Sequence, residues 1–111
     1  MQKLLTKELQ KKLPPLYSQD GRKADTIVYG HWFSCINGWD LYATEYDEET
    51  GDMFGFVFGE VPEMGYFNLA ELEEINRKYG MNFFERETYF TPKRAIEIPR
   101  IAEAFGYLWE K

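Results

Sequence analysis

This chain of 111 residues is short of positive charge, and the shortage is local. No lysine or arginine occurs from Ala24 to Asn76, a stretch that holds twelve acids. The first 23 residues carry six basic and two acidic groups, and residues 77–111 carry seven and five, so the net charge is only −6. An anionic middle repels phosphate backbones and draws basic surfaces toward it. Cysteine and histidine are nearly absent too. Cys35 stands alone, which excludes an internal disulfide and a zinc site built on cysteine. His31 is the single histidine, which excludes HExxH and every other site that needs two. Gly51, Gly55 and Gly59 punctuate a turn and a strand rather than opening a helix, so no phosphate-binding loop is present, and no GxSxG elbow occurs. No apolar run approaches the ~20 residues of a membrane span. Met1 to Leu13 alternates Lys and Leu and lacks the apolar stretch of a signal peptide. A cytoplasmic protein with no membrane contact and no cofactor is expected.

What the chain does have is aromatic bulk. Twenty aromatic residues stand against eighteen Ile, Leu and Val, and 44% of the chain is hydrophobic. That is enough for one folded core, so residues 1–111 read as a single domain. Thr6 caps a first helix from Lys7 to Leu13, whose stripe is Leu5, Leu9 and Leu13 and whose stop is Pro14-Pro15. Ile27 to Ser34, Trp39 to Tyr46 and Met53 to Gly59 read as three strands, joined by an Asn37-Gly38 turn and by the DEETGD turn. Asn68 and Glu71 resemble a capping box for a helix to about Tyr79, with Gly80 after its end. Phe84 to Phe90 reads as a fourth strand, Thr91-Pro92 as a helix start, and Pro99 as a break that starts another helix. The order α-β-β-β-α-β-α predicts an α+β fold: an antiparallel sheet of three to five strands with helices on one face.

A two-residue Asn37-Gly38 loop would pair Phe33 with Tyr42 and His31 with Thr44. Carried across the next turn, Tyr46 would meet Phe54. One face then holds Tyr29, His31, Phe33, Tyr42, Thr44, Tyr46, Phe54, Phe56 and Phe58, and it is the face expected to carry the helices. The other face is lined mostly by small residues, with Glu45 beside Gly30 and Gly55. A carboxylate in such a cleft would receive a basic side chain or act as a general base. The alternative is a plain wet sheet face. The aromatic face could stack single-stranded nucleic acid, but its strands carry no cation, so core is the stronger reading. For His31, a cross-strand hydrogen bond is favoured over pairing with Cys35, which lies about 13 Å away along an extended strand. Asp47, Glu48, Glu49 and Asp52 lack the spacing of a calcium loop and read as a solvated hairpin tip.

The runs Leu4–Gly21 (LLTKELQKKLPPLYSQDG), Trp39–Asp47 (WDLYATEYD), Phe54–Leu72 (FGFVFGEVPEMGYFNLAEL) and Glu85–Pro92 (ERETYFTP) together resemble an uncharacterised family, domain-of-unknown-function family 2958. The resemblance spans residues 4 to about 94, and residues 95–111 read as a helical C-terminal extension. It implies a setting, bacterial plasmids, conjugative elements and phages, and it carries over no catalytic residue.

The expectation is a non-enzymatic accessory protein of a mobile element that binds a basic protein surface. It would do so as an anti-restriction or anti-CRISPR nucleic-acid mimic. Asp40, Glu45, Asp47, Glu48, Glu49, Asp52, Glu60 and Glu63 would supply the binding charge. The alternative is a nucleic-acid-binding protein that uses the basic ends, Lys3, Lys7, Lys11, Lys12, Arg22, Lys23, Arg77, Lys78, Lys93 and Arg94. A third, lower reading is a small enzyme centred on Glu45 or His31.

Overall fold

A computed structural model describes residues 2–109. Helix α1 (Lys7–Lys12) starts where Thr6 Oγ1 accepts the Leu9 N–H at 3.2 Å, and Leu9 and Leu13 turn inward from it. The strands β1 (Ile27–Val28), β2 (Gly30–Phe33), β3 (Asp40–Tyr46), β4 (Asp52–Phe58) and β5 (Pro62–Asn68) follow. Helix α2 (Leu69–Tyr79), short strands β6 (Glu85–Arg86) and β7 (Lys93–Arg94) and helix α3 (Pro99–Phe105) complete the chain. Five strands form an antiparallel sheet in the order β5-β4-β3-β2-β6, and β1 pairs with β7 in a second small sheet. The fold is α+β, as the element order predicted.

Asn68 and Gly80 cap α2 as expected, the start by the Asn68 side chain alone rather than by a reciprocal box with Glu71. Asn68 Oδ1 accepts the N–H of Ala70 at 2.9 Å and of Glu71 at 3.4 Å, and Gly80 ends the helix with φ +63°. The first hairpin differs from expectation. Its loop is Cys35–Gly38, closed by a Ser34 N–H to Trp39 O bond at 3.0 Å. Two local side-chain bonds stabilise the longer turn: Ser34 Oγ accepts the Ile36 N–H, and Asn37 Oδ1 accepts the Trp39 N–H. His31 therefore faces Tyr42 rather than Thr44. The loop grew by two residues, so the slip is even and β2 and β3 keep their expected faces.

The second hairpin contains a bulge. Pairing runs from Ala43–Gly55 directly to Glu45–Phe54, leaving Thr44 as the extra residue. Thr44 Oγ1 donates to Phe54 O at 3.0 Å. Gly55 is required here, because a Cβ at that position would overlap the Tyr42 carbonyl oxygen. The bulge reverses side-chain alternation beyond it. Tyr46 therefore pairs with Met53 and packs among Trp32, Leu41 and Ala43, not on the aromatic face. Tyr29 also leaves that face, because the chain changes sheets between β1 and β2, and it packs beside Leu4 and Trp32.

Both faces of the sheet are covered, so the small-residue face is not wet. On one side Tyr42, Phe56 and Phe58 meet Ile98, Ile101 and Phe105 of the C-terminal segment, with Phe56 and Phe105 rings 5.1 Å apart. On the other, Trp32, Leu41, Ala43 and Met53 meet Leu4, Leu13 and Leu69. Trp32 Nε1 donates to Leu4 O at 2.8 Å, which ties the N-terminal segment down. Residues 98–105 thus supply part of the core.

Three further expectations change. Phe84 to Phe90 contributes only the two-residue strand β6 on β2. The Thr91-Pro92 helix is absent: Lys93 and Arg94 instead pair with Val28 and Ile27, and the helix starts at Pro99. Strand β5 went unassigned in the sequence because Pro62 and Gly65 interrupt its pattern.

Candidate functional site

Glu45 stands on β3 just past the bulge, which turns it away from Gly30 and Gly55 and sets it opposite Phe54, and it is 4% exposed. Its Oε1 accepts the Tyr17 N–H at 2.9 Å and its Oε2 the Gln19 N–H at 2.8 Å. The Gln19 amide continues the staple: Nε2 donates to Ile27 O and Thr44 O, and Oε1 accepts the Ile27 N–H at 2.7 Å. Every polar atom of this cluster is committed to holding the 17–27 loop on the sheet. Glu45 is thus removed from the acidic surface proposed for it, and its two oxygens already serve backbone donors rather than a substrate.

The loop it holds is unusual. Tyr17 has φ +71°, a left-handed conformation that costs a bulky side chain energy. The residue is 67% exposed. It approaches Tyr66 on β5, itself 54% exposed and stacked edge-on against Phe54 with ring centroids 5.0 Å apart. Interaction with the Tyr17 hydroxyl raises the Tyr66 pKa above its ordinary 10.0, with desolvation and the charges of Glu45 and Asp20 adding to the effect. A cleft of ≈ 300 Å³ is lined by Glu45, Phe54, Phe56 and Met64 of the sheet, by Asp20 and Lys23, and by Leu108 and Trp109.

The acids separate into distinct places. Asp47, Glu48 and Glu49 form the β3–β4 tip, where Asp47 Oδ1 accepts the Glu49 N–H at 2.9 Å. Across a mixed-charge groove they face Lys7 and Lys11 of α1. Asp52 is at the same end, bonded to Asn68 Nδ2 at 3.1 Å. Glu60 and Glu63 are exposed at the other end of β4, about 20 Å away for a seven-residue strand. Among the described residues none of these six acids makes an ion pair.

Asp40 does not join them. One of its oxygens contacts the Arg100 guanidinium of α3 and the other lies 2.6 Å from His31 Nε2. His31 Nδ1 is 2.6 Å from Glu87, and the ring stacks on Tyr42 with centroids 4.3 Å apart. Arg100 also lies over the Phe58 ring, 4.5 Å from its centroid. Burial lowers the His31 pKa below 6.5; the hydrogen bond and charge of Glu87 oppose this, and the Arg100 cation assists it. Burial is the largest of these effects. With a carboxylate on each ring nitrogen, His31 has no free atom for acid–base work. The cluster clasps α3 and the 87–90 segment to the sheet.

Lys3 and Arg77 line one hollow, Lys7 and Lys11 another, and Arg94 is paired with Asp25 and Glu97. Cys35 is exposed in the first hairpin loop.

The described residues contain no helix long and apolar enough to cross a membrane. No curated protein and no solved structure matches the chain. A family model described as a protein of unknown function (DUF2958) matches residues 4–107, past Arg94 and through α3, and the chain belongs to that family.

Proposed function

We propose that this protein is a non-enzymatic interaction domain that docks a basic protein partner. The docking surface is formed by strand β5, the Tyr17–Tyr66 pair and the two acidic ends of the sheet. One observation carries the reading: Met64 and Tyr66 on β5 and Val61 in the turn before it are exposed, beside Glu60 and Glu63, in a stretch with no lysine or arginine from Ala24 to Asn76. Exposed tyrosine and methionine supply anchoring area and the carboxylates supply complementarity and steering, the division of labour common at protein interfaces. Six of the eight acids first singled out serve this surface: Asp47, Glu48, Glu49, Asp52, Glu60 and Glu63. Asp40 and Glu45 support the fold beneath it. The separation of the acids into two groups favours two-point docking on a basic protein over imitation of a continuous phosphate backbone. The mobile-element setting implied by the resemblance makes a nucleic-acid-binding protein of a host defence system the first partner to test.

The test is affinity capture followed by rebinding with the captured protein in purified form. The variants are Glu48→Lys with Glu49→Lys, Glu60→Lys with Glu63→Lys, and Tyr66→Ala, each compared at low and high salt. Each charge-reversed pair is expected to weaken binding and flatten its salt dependence, and Tyr66→Ala to speed dissociation. Unchanged affinity and salt dependence in both charge-reversed pairs would refute the reading. Retardation of DNA or RNA by the protein alone at low salt would move it to the nucleic-acid alternative.

A further inference from the structure

Strand β5 ends the five-stranded sheet. It pairs with β4 over seven positions, from Asp52–Asn68 to Phe58–Pro62, and among the described residues no strand lies on its outer side. Alternate residues there present N–H and C=O groups to solvent, a template for another strand. The opposite edge, β6, is only two residues long. Pro62 blocks β5 only at its first position, which leaves 63–68 open to pairing.

The two faces of β5 differ chemically. Met64 and Tyr66 lie opposite Phe56 and Phe54, on the α3 side. Glu63, Gly65 and Phe67 lie on the α2 side, where Phe67 meets Trp32 edge-on at 5.9 Å. Gly65 leaves a notch on this second face: the nearest atom to a Cβ built there is Glu63 Oε1 at 3.6 Å. A long side chain from an adjoining strand fits that notch and ends at the Glu63 carboxylate.

We propose that β5 takes up an extended basic segment of the protein partner as a sixth strand of the sheet. The segment alternates apolar residues, which meet Met64 and Tyr66, with lysine or arginine, which fills the notch beside Gly65 and reaches Glu63. This rests on the protein-docking reading above and gives its mode of attachment. Charge selects the occupant. A second copy of this chain carries the same net charge of −6, and like net charge opposes its approach. A basic strand gains the same main-chain bonds and neutralises the carboxylates.

The test uses the full chain, isotope-labelled, and two peptides of about eight residues, a usable strand length. One alternates lysine and valine; the other has the same composition in two blocks. The alternating peptide is expected to bind about tenfold more tightly, a difference of about 1.4 kcal/mol. At saturation it should slow hydrogen exchange at every second amide from residue 63 to 68. Glu63→Lys should weaken it about tenfold. Equal binding of the two peptides with no slowed β5 amide, both weakened by Glu63→Lys, overturns strand addition and leaves the acidic docking surface standing. Failure of the alternating peptide to bind overturns strand addition; if the purified partner also ignores the charge-reversed pairs, the docking reading falls with it. Slowed β5 amides in a concentration-dependent dimer without peptide would assign the edge to a second copy and overturn the proposal.

Discussion

Replacing Glu45 tests whether one buried carboxylate sets the shape of the surface above it. Glu45→Ala removes two charge-assisted acceptors, for the N–H groups of Tyr17 and Gln19. A hydrogen bond to a charged group contributes about 1.5–3 kcal/mol, and a buried donor left unmade costs about 1–3 kcal/mol. Gln19 is buried and has no water to replace the lost oxygen, whereas Tyr17 is open to solvent. The left-handed Tyr17 conformation relaxes when its N–H is released, which returns part of the loss. The expected destabilisation is therefore about 2–4 kcal/mol, a large part of the 5–15 kcal/mol that holds a typical domain together. Glu45→Gln keeps one acceptor oxygen, turns an amide donor toward the other N–H, and should cost about half as much. Urea unfolding followed by tryptophan fluorescence measures both. The ordering is the sharp point: Ala worse than Gln, Gln worse than wild type. Equal stability of Glu45→Gln and wild type, or equal damage from Gln and Ala, would refute the assignment of two separate backbone bonds. Under conditions where both variants remain folded, partner affinity should fall in the same order, because Tyr17 is no longer held beside Tyr66.

Gly55→Ala should cost at least about 3 kcal/mol or prevent folding, because its methyl group meets the Tyr42 carbonyl rather than a side chain that can swing away; thermal unfolding reads this, and a loss under 1 kcal/mol would deny the bulge. Asn76 binds Phe84 by donating from Nδ2 to its O and accepting its N–H at Oδ1, so Asn76→Asp should cost about 2–4 kcal/mol above pH 6 by setting a charge against a carbonyl; wild-type stability in denaturant would contradict this. His31 has a folded pKa below its unfolded value of 6.5. Between those two values the unfolded chain binds more protons, so stability should rise with pH through that window and be lost as pH falls through it. Urea titrations across the window, compared with His31→Gln, check the sign; a slope in the opposite direction would mean that the carboxylates outweigh burial.

Much of the architecture was legible because its signals are local. Thr6, Asn68 and Gly80 mark helix ends through bonds within three or four residues, and each works as written. β-branched and aromatic runs located β2, β3 and β4. The first hairpin slipped by two residues because Ser34 and Asn37 stabilise a longer loop, and parity protected the faces from that error. The bulge at Thr44 was invisible, since its cause is a backbone approach between Tyr42 and Gly55, thirteen residues apart in the chain. Strand β5 was missed because Pro62 and Gly65 break its pattern, and β7 was mistaken for a helix start because its partner is β1, far away in sequence. Glu45 was singled out as a carboxylate on the small-residue face beside Gly30 and Gly55, but the bulge at Thr44 turns it to the opposite face, across from Phe54, and its task depends on loop atoms at Tyr17 and Gln19 that no spacing rule connects to it.

Residue order alone settled where charge of one sign is missing, which segments are helical or extended, and that aromatic side chains build the core. These depend on neighbours within a few positions, where propensity and capping act. The folded chain decided which acids remain in water, which are consumed by Arg100 or by backbone donors, and which strand edge is left unpaired. Those outcomes depend on contacts between residues far apart in the chain, where burial and geometry choose among groups that look alike in the sequence.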